Sequence, residues 1–152
     1  MDLKRQPVLL GTAVVRERGA SAVEIAIVAP FLILLLIGTV ESSWLLARSI
    51  DVSQAAREAG RMAAVNDGDT NTIVTAVCAG MDEPAGAGIS LSGATSGLGG
   101  NISATAEQDV GTITGLLDPL FSPPVHLSHT TFFTLEQPTA SWTDTVGPVS
   151  CP

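Results

Sequence analysis

The pattern of apolar and polar positions divides the chain into a long helical part and a strand-rich part. Residues 25–40 carry no charge and are almost uniformly apolar, which predicts a membrane-spanning helix, although a bilayer usually requires roughly 20 such residues. Trp44 and the two leucines after it extend the run, and a helix over residues 20–46 would measure about 40 Å. Beyond Ser49, apolar residues recur at three- and four-residue spacings, which indicates an amphipathic continuation to about Val65.

The predicted buried stripe of this amphipathic continuation is made of small residues. Its members are Val52, Ala55, Ala56, Ala59 and Ala63. Because alanine side chains are short, the element that packs on this stripe is expected to approach the helix closely. The sequence Asn66-Asp67-Gly68-Asp69 is a turn signal that ends the helix, and a short second helix is predicted over residues 71–79.

The distal part of the chain shows the two-residue alternation of β-strands. Alternating apolar and polar residues predict strands at 89–92 and 102–105, joined by the glycine-rich residues 93–100. Residues 130–135, which are rich in Thr and Phe, predict a third strand. The apolar residues 116–121 are expected to cap the resulting sheet. The predicted fold is therefore α+β, with a long N-terminal helix followed by a small antiparallel β-sheet domain.

Charge is distributed unevenly along the chain. The sequence has seven basic and 15 acidic residues, and every basic residue lies before position 62. An all-acidic distal domain cannot neutralise phosphates, which excludes nucleic-acid binding. Because basic flanks are retained in the cytoplasm, residues 1–18 are expected inside and the acidic domain outside. Three arginines of the predicted helix are expected to lie on a solvated face: Arg48, Arg57 and Arg61.

The chain has two cysteines, Cys78 and Cys151, both on the predicted outer side of the membrane, where thiols are commonly oxidised. Two cysteines allow one intramolecular pairing, and this disulfide would tie down the C-terminus and stabilise the domain by about 4 kcal/mol in the chain-entropy description. The alternative is two unpaired thiols. Neither cysteine belongs to a C-x-x-C pair, so redox catalysis is not indicated.

One carboxylate, Glu24, lies near the start of the apolar helix. An ionised side chain at bilayer depth costs roughly 2.5 to 3.5 kcal/mol, so Glu24 is expected either to take part in a compensating interaction or to lie at the level of the lipid headgroups. The sequence around it reads Arg18-Gly19, Val23-Glu24 and then Pro30 within the apolar run. This arrangement resembles the TadE-like pseudopilins of Flp-type (tight adherence) type IV pili.

The resemblance extends over residues 16–64. It includes the small-residue helix at 54–61, which is similar to the segment that follows the membrane span in that family. Ile25 follows Glu24, whereas major Flp pilins usually carry tyrosine at this position, which argues against a subunit of the pilus shaft.

The resemblance implies that a prepilin peptidase cuts between Gly19 and Ala20, which makes Glu24 the fifth residue of the mature chain. Cleavage would create an α-amine with a pKa near 8. Pairing of this amine with Glu24 of a neighbouring subunit would offset the cost of both charges in apolar surroundings and specify axial register. The implied parts of the chain are a cytoplasmic leader, a transmembrane and amphipathic pilin-like helix, and an extracytoplasmic domain, at residues 1–19, 20–65 and 66–152.

The family resemblance further implies a minor pilin or pilus assembly protein of the cytoplasmic membrane or a surface pilus, acting in adhesion or secretion. Its partners would be the lipid bilayer, the prepilin peptidase and other pilins of the same apparatus. The membrane span begins at Ile25 and ends at Val40, with Trp44 as an interfacial anchor and Glu24 and Glu41 near opposite interfaces. Pro30 removes one helical hydrogen bond and is expected to bend or loosen the helix.

The sequence contains no recognisable catalytic or cofactor motif, and the chain is interpreted as a non-enzyme. His126 and His129 are three residues apart, so a strand would point them to opposite faces. Asp67 and Asp69 alternate like the start of a calcium loop, but no glutamate follows at the twelfth position, and a turn is the preferred interpretation.

Two alternatives to a processed pilin follow from the sequence. The first is an uncleaved single-pass protein whose outer domain binds a partner or scaffolds a complex, and this role would be indifferent to Gly19→Ala. The second is a secreted enzyme with a conventional signal peptide. It would require a small-x-small cleavage site soon after the apolar run, and residues 40–47 offer no convincing one.

Overall fold

The computed structural model describes residues 13–95, 97–115, 124–137 and 139–152, with side chains from residue 19 onward. The elements are α1 (Ala13–Val65), α2 (Thr70–Ala79), β1 (Ala87–Ser92), β2 (Asn101–Val110), β3 (Val125–Thr134) and β4 (Val149–Ser150). The predicted α+β class is confirmed. The chain divides into two compact units, Met1–Val40 and Glu41–Pro152, and each is described separately.

The first unit contains the apolar part of α1. The helix continues through Pro30, which lies inside it. Along residues 19–40 nearly every described side chain is exposed, and none is classed as buried. This stretch therefore has no hydrophobic core of its own.

The second unit is built on a four-stranded antiparallel sheet with strand order β3-β2-β1-β4. One face of the sheet contributes Ile89, Leu91, Ile102 and alternate residues of β2 to the hydrophobic core. The remainder of the core comes from α2 and from the C-terminal part of α1. All five members of the predicted small-residue stripe are buried, at 6% exposure or less, so this prediction is confirmed.

Small residues on α1 permit a close approach of the sheet. Gly60 is the clearest case, because a Cβ atom at this position would overlap the ring of Phe133 on β3. Phe133 is half-buried against the core. The absence of a side chain at Gly60 is therefore what allows the aromatic ring to lie against the helix.

The turn between α1 and α2 forms where the sequence predicts it. Asn66 adopts a left-handed conformation with φ of 60° and Gly68 has φ of 106°. Asp69 caps α2, since its side chain accepts a hydrogen bond from the Thr72 amide at 2.8 Å. Hydrogen bonds from the Thr72 side chain and from the Thr72 amide hold the pKa of the Asp69 carboxyl below its ordinary value.

The C-terminal segment packs back onto this turn. The Asn66 side chain accepts hydrogen bonds from the amide and hydroxyl of Ser141, and the indole N–H of Trp142 donates to the Ala63 carbonyl at 2.9 Å. Trp142 is 2% exposed and is among the largest buried side chains. The disulfide between Cys78 and Cys151, with a Cα–Cα distance of 5.6 Å, then connects α2 to the last residues of the chain.

The strands differ from the sequence prediction mainly in length. β2 and β3 each comprise ten residues and pair along their whole length from Asn101↔Thr134 to Val110↔Val125. Polar residues on the more buried face, namely Gln108, His129 and Thr131, interrupt the apolar alternation, so the sequence predicts only part of each strand. The two-residue strand β4 was not predicted, and the predicted glycine-rich connection does join β1 to β2. The expected cap at residues 116–121 lies outside the described residues.

Candidate membrane and assembly segment

The first candidate site is the apolar surface of α1 in the first unit. Val23, Ile25, Phe31 and Leu35 are each at least 60% exposed. The helix from Gly19 to Val65 is long and apolar enough to cross a membrane, and none of its most apolar stretch is buried among the described residues. A helical surface that is apolar all round and exposed within the described part of the chain is typical of a helix that lies in lipid or among other helices.

Glu24 is the only ionisable residue between residues 19 and 40. Its side chain lies on the exposed surface of α1, and no ion pair to it occurs among the residues that the structure describes. The preceding Gly19 and Ala20 also lie inside the helix and are exposed. A Cβ atom at Gly19 would meet no atom within 4 Å, so a methyl group is sterically tolerated there.

Glu41, the first residue of the second unit, is the most deeply buried charged residue described, with 1% exposure. Its carboxylate accepts hydrogen bonds from the amides of Ile113 and Thr114, at 3.0 and 2.7 Å, and from the Thr114 hydroxyl at 2.6 Å. These three donors satisfy the carboxylate and fix the residues after β2 to α1. The sequence predicts only that Glu41 lies near a membrane interface. Its hydrogen bonds are not apparent there, because the donor residues are more than 70 positions away.

Arg48 contradicts the prediction of a solvated face. It is 9% exposed, and its guanidinium lies 4.1 Å from the centroid of the Trp44 ring. The same group forms an ion pair with Glu83 and lies 3.9 Å from the Asp51 carboxylate. The acids and the aromatic face compensate for the removal of the charge from water, which a helical periodicity alone does not reveal. Trp44, the expected interfacial anchor, is half-buried here.

The other two helical arginines follow the prediction, since Arg57 and Arg61 are exposed. Arg61 forms an ion pair with Glu58 one helical turn earlier, at 2.6 Å. Both side chains of this pair are about half exposed, so the pair belongs to the class of surface ion pairs that contribute little to stability.

The two histidines lie on opposite faces of β3, as predicted. His126 is exposed, whereas His129 is half-buried. The Nδ1 atom of His126 lies 2.8 Å from the Asp109 carboxylate, and its Nε2 atom lies 3.8 Å from Glu107. The hydrogen bond to Asp109 raises the pKa of His126 above its ordinary value. Among the residues that the structure describes, no group of three or more His, Cys, Asp or Glu side chains could hold a metal ion.

Comparison with known proteins identifies the helical part of the chain. Residues 19–61 match the model of the TadE-like protein family, in agreement with the resemblance found in the sequence over this segment. The match lies within α1 and includes Gly19, Glu24 and Glu41. No curated protein and no solved structure matches the chain.

Proposed function

We propose that this TadE-like chain is a minor pilin or pilus assembly protein of a Flp-type apparatus, processed by a prepilin peptidase and assembled through α1. The observation that carries the proposal is the uncovered apolar surface of α1 inside the segment that matches the family. Residues 25–40 hold the chain in the cytoplasmic membrane until the helix packs against the helices of other pilins. The role is structural rather than catalytic.

Glu24 acts in this proposal as an assembly residue. Cleavage after Gly19 places a cationic α-amine on Ala20, four residues before the carboxylate. Each charge is costly in an apolar helix bundle, and pairing the amine of one subunit with Glu24 of its neighbour offsets both costs. Because the cost of the two charges is offset fully only when they are close together, the pair also selects one axial offset between adjacent helices. The exposed position of Glu24 on α1 leaves its carboxylate accessible to such a neighbour.

The proposed orientation places the N-terminus inside the cell and the second unit outside. All basic residues lie before position 62, and positive charge in the flanks favours the cytoplasmic side. The Cys78–Cys151 disulfide supports the same orientation, since disulfides persist in oxidising compartments.

The competing function is an uncleaved, permanently anchored membrane protein that scaffolds or binds a partner. One observation favours it: α1 begins at Ala13 and runs unbroken through Gly19 and Ala20. A peptide bond inside a helix must unfold locally before a peptidase can act on it. Both functions use the same membrane span, and they differ in whether residues 1–19 are removed.

The decisive experiment is determination of the mature N-terminus by mass spectrometry of membrane and sheared-surface fractions. Wild type is compared with Gly19→Ala and with Gly38→Ala, a matched control in which the added methyl group also meets no atom within 4 Å. Processing predicts a terminus at Ala20 in wild type and Gly38→Ala and a retained leader in Gly19→Ala. A terminus at Met1 in all three proteins would refute processing and favour the anchored protein.

A further inference from the structure

The two edges of the sheet differ in whether other described residues pair with them. On the β1 side, β4 pairs with Gly88 and Ile89, and backbone hydrogen bonds from Thr145 and Cys151 reach Leu91 and Ala87. The disulfide fixes this covering segment in place. The C-terminal segment therefore occupies the edge next to β1, so another strand cannot pair there.

The edge formed by β3 has no strand partner within the described ranges over its ten residues. β3 is the terminal strand of the sheet, and no described residue pairs with its outer side. Native edge strands are normally protected by being short or by carrying charged residues, proline or a bulge. Val125–Thr134 is long and contains no Asp, Glu, Lys, Arg or Pro. Within the described part of the chain, its outer backbone groups therefore have no strand partner, and the strand lacks these protections.

The solvent-facing side of the sheet next to this edge has a specific chemical pattern. Glu107 on β2 lies directly opposite Ser128 on β3, and Ser103 lies opposite Phe132. Ser128 is short and exposed, and the Glu107 side chain opposite it is 29% exposed. Phe132 is 74% exposed. A strand added beside β3 would therefore lie near the Glu107 carboxylate at Ser128. Four residues further along β3, it would lie beside the exposed ring of Phe132.

We propose that the open edge of β3 binds an extended segment of a partner protein by strand addition, with a basic residue of the partner opposite Ser128 and an apolar or aromatic residue opposite Phe132. An added strand would lie about 10 Å from β2, a distance that a lysine side chain and Glu107 span together across Ser128. Backbone hydrogen bonds supply affinity and the alternate side chains supply selectivity. This interaction does not depend on cleavage at Gly19.

Charge decides the class of partner. No Lys or Arg follows Arg61 in the sequence, so the domain repels acidic segments and attracts basic ones. A second copy of the chain is disfavoured as the partner, because its β3 strand brings no Lys or Arg to Glu107. The Nε2 atom of His126 on the same chain lies 3.8 Å from the Glu107 carboxylate, and this imidazole is charged only when it is protonated.

The test uses the full-length protein in detergent micelles and a blocked nine-residue threonine peptide with tyrosine at position three and lysine at position seven. In an antiparallel arrangement these two residues fall opposite Phe132 and Ser128. A second peptide carries glutamate at position seven. Two further peptides are N-methylated on alternate residues: one on the odd-numbered residues and the other on the even-numbered residues. Binding is measured by titration calorimetry, and protection of the β3 amides by hydrogen exchange.

Strand addition predicts that the lysine peptide binds more tightly than the glutamate peptide and slows exchange of β3 amides. It also predicts that one N-methylated phase abolishes binding and the other retains it, because only one set of amides faces β3. Glu107→Gln should weaken the lysine peptide about two- to fivefold, the range expected for an exposed ion pair. Glu136→Gln, which changes the net charge equally outside β2 and β3, should leave its affinity unchanged.

Three results would overturn the proposal. Equal binding of the lysine and glutamate peptides would remove the charge selectivity, and retention of binding by both N-methylated phases would remove strand addition. Full protection of the β3 amides in the absence of peptide would show that the edge is already covered by this chain. Thermal unfolding followed by circular dichroism confirms that Glu107→Gln and Glu136→Gln are folded before their affinities are compared.

Discussion

The contact between Gly60 and Phe133 allows a prediction in which the sign of one mutation depends on another. Replacing Gly60 by alanine in an isolated helix stabilises it by about 1 kcal/mol, because glycine has the greater backbone freedom to lose. In the folded domain the added methyl group overlaps the Phe133 ring, and overpacking of this kind typically costs about 1 to 3 kcal/mol. The net effect of Gly60→Ala in the native background is therefore destabilisation by up to about 2 kcal/mol.

In the Phe133→Ala background the obstacle is absent, so Gly60→Ala should stabilise the domain by up to about 1 kcal/mol. The coupling energy of the double-mutant cycle equals the cost of the overlap, about 1 to 3 kcal/mol. Gly38→Ala serves as the control, since no atom lies within 4 Å of its added methyl group and it should not couple to Phe133.

The free energies of unfolding can be measured by denaturant titration of the full-length protein in detergent micelles. The fluorescence of Trp142 reports on the unfolding of the second unit, since this side chain is 2% exposed and bonded to Ala63 of α1. Trp44→Phe variants isolate its signal from that of the other tryptophan. The reasoning would be refuted if Gly60→Ala changed the free energy of unfolding with the same sign and size in both backgrounds.

Two further predictions concern the disulfide and the exposed histidine. Reduction of the Cys78–Cys151 bond, which spans 73 residues, should lower the free energy of unfolding by about 4 kcal/mol; comparison of oxidised and reduced wild type measures this, and equal stabilities would contradict it. Because the pKa of His126 is raised in the folded state, its stabilising contribution is fully present below the unfolded pKa of about 6.5 and is lost as pH rises through the folded value. Asp109→Asn should lower the His126 pKa measured by NMR titration, whereas Asp144→Asn, remote from this pair in sequence, should not; an unchanged His126 pKa in Asp109→Asn would show that the carboxylate does not stabilise the imidazolium.

Local sequence patterns determined the elements whose cause is local. The three- and four-residue spacing from Val52 to Ala63 predicts the buried stripe because a helix places these positions on one face whatever packs there. The turn after Val65 follows from Asn66 and Gly68, which tolerate left-handed backbone conformations. The membrane segment is equally local, since uniform apolarity over one helix is sufficient to predict it. The motif around Glu24 depends only on adjacent residues.

The tertiary structure alone decided the surroundings of the charged residues. Arg48 and Arg61 lie on the same helix, yet only Arg48 is buried. The guanidinium of Arg48 lies between the Trp44 ring and the carboxylate of Glu83, which follows α2 in the chain. Glu41 is satisfied by the amides of Ile113 and Thr114, which are brought to it by the sheet.

The same physical reason accounts for β4 and for the burial of Trp142. Each depends on partners that are distant in sequence, as when Trp142 donates to Ala63 across 79 positions. Two residues as short as β4 carry no periodicity, and they become a strand only because β1 presents free backbone groups to them. Periodicity indicates which face of an element is apolar, whereas the pairing of that element with another depends on contacts between residues that are distant in sequence.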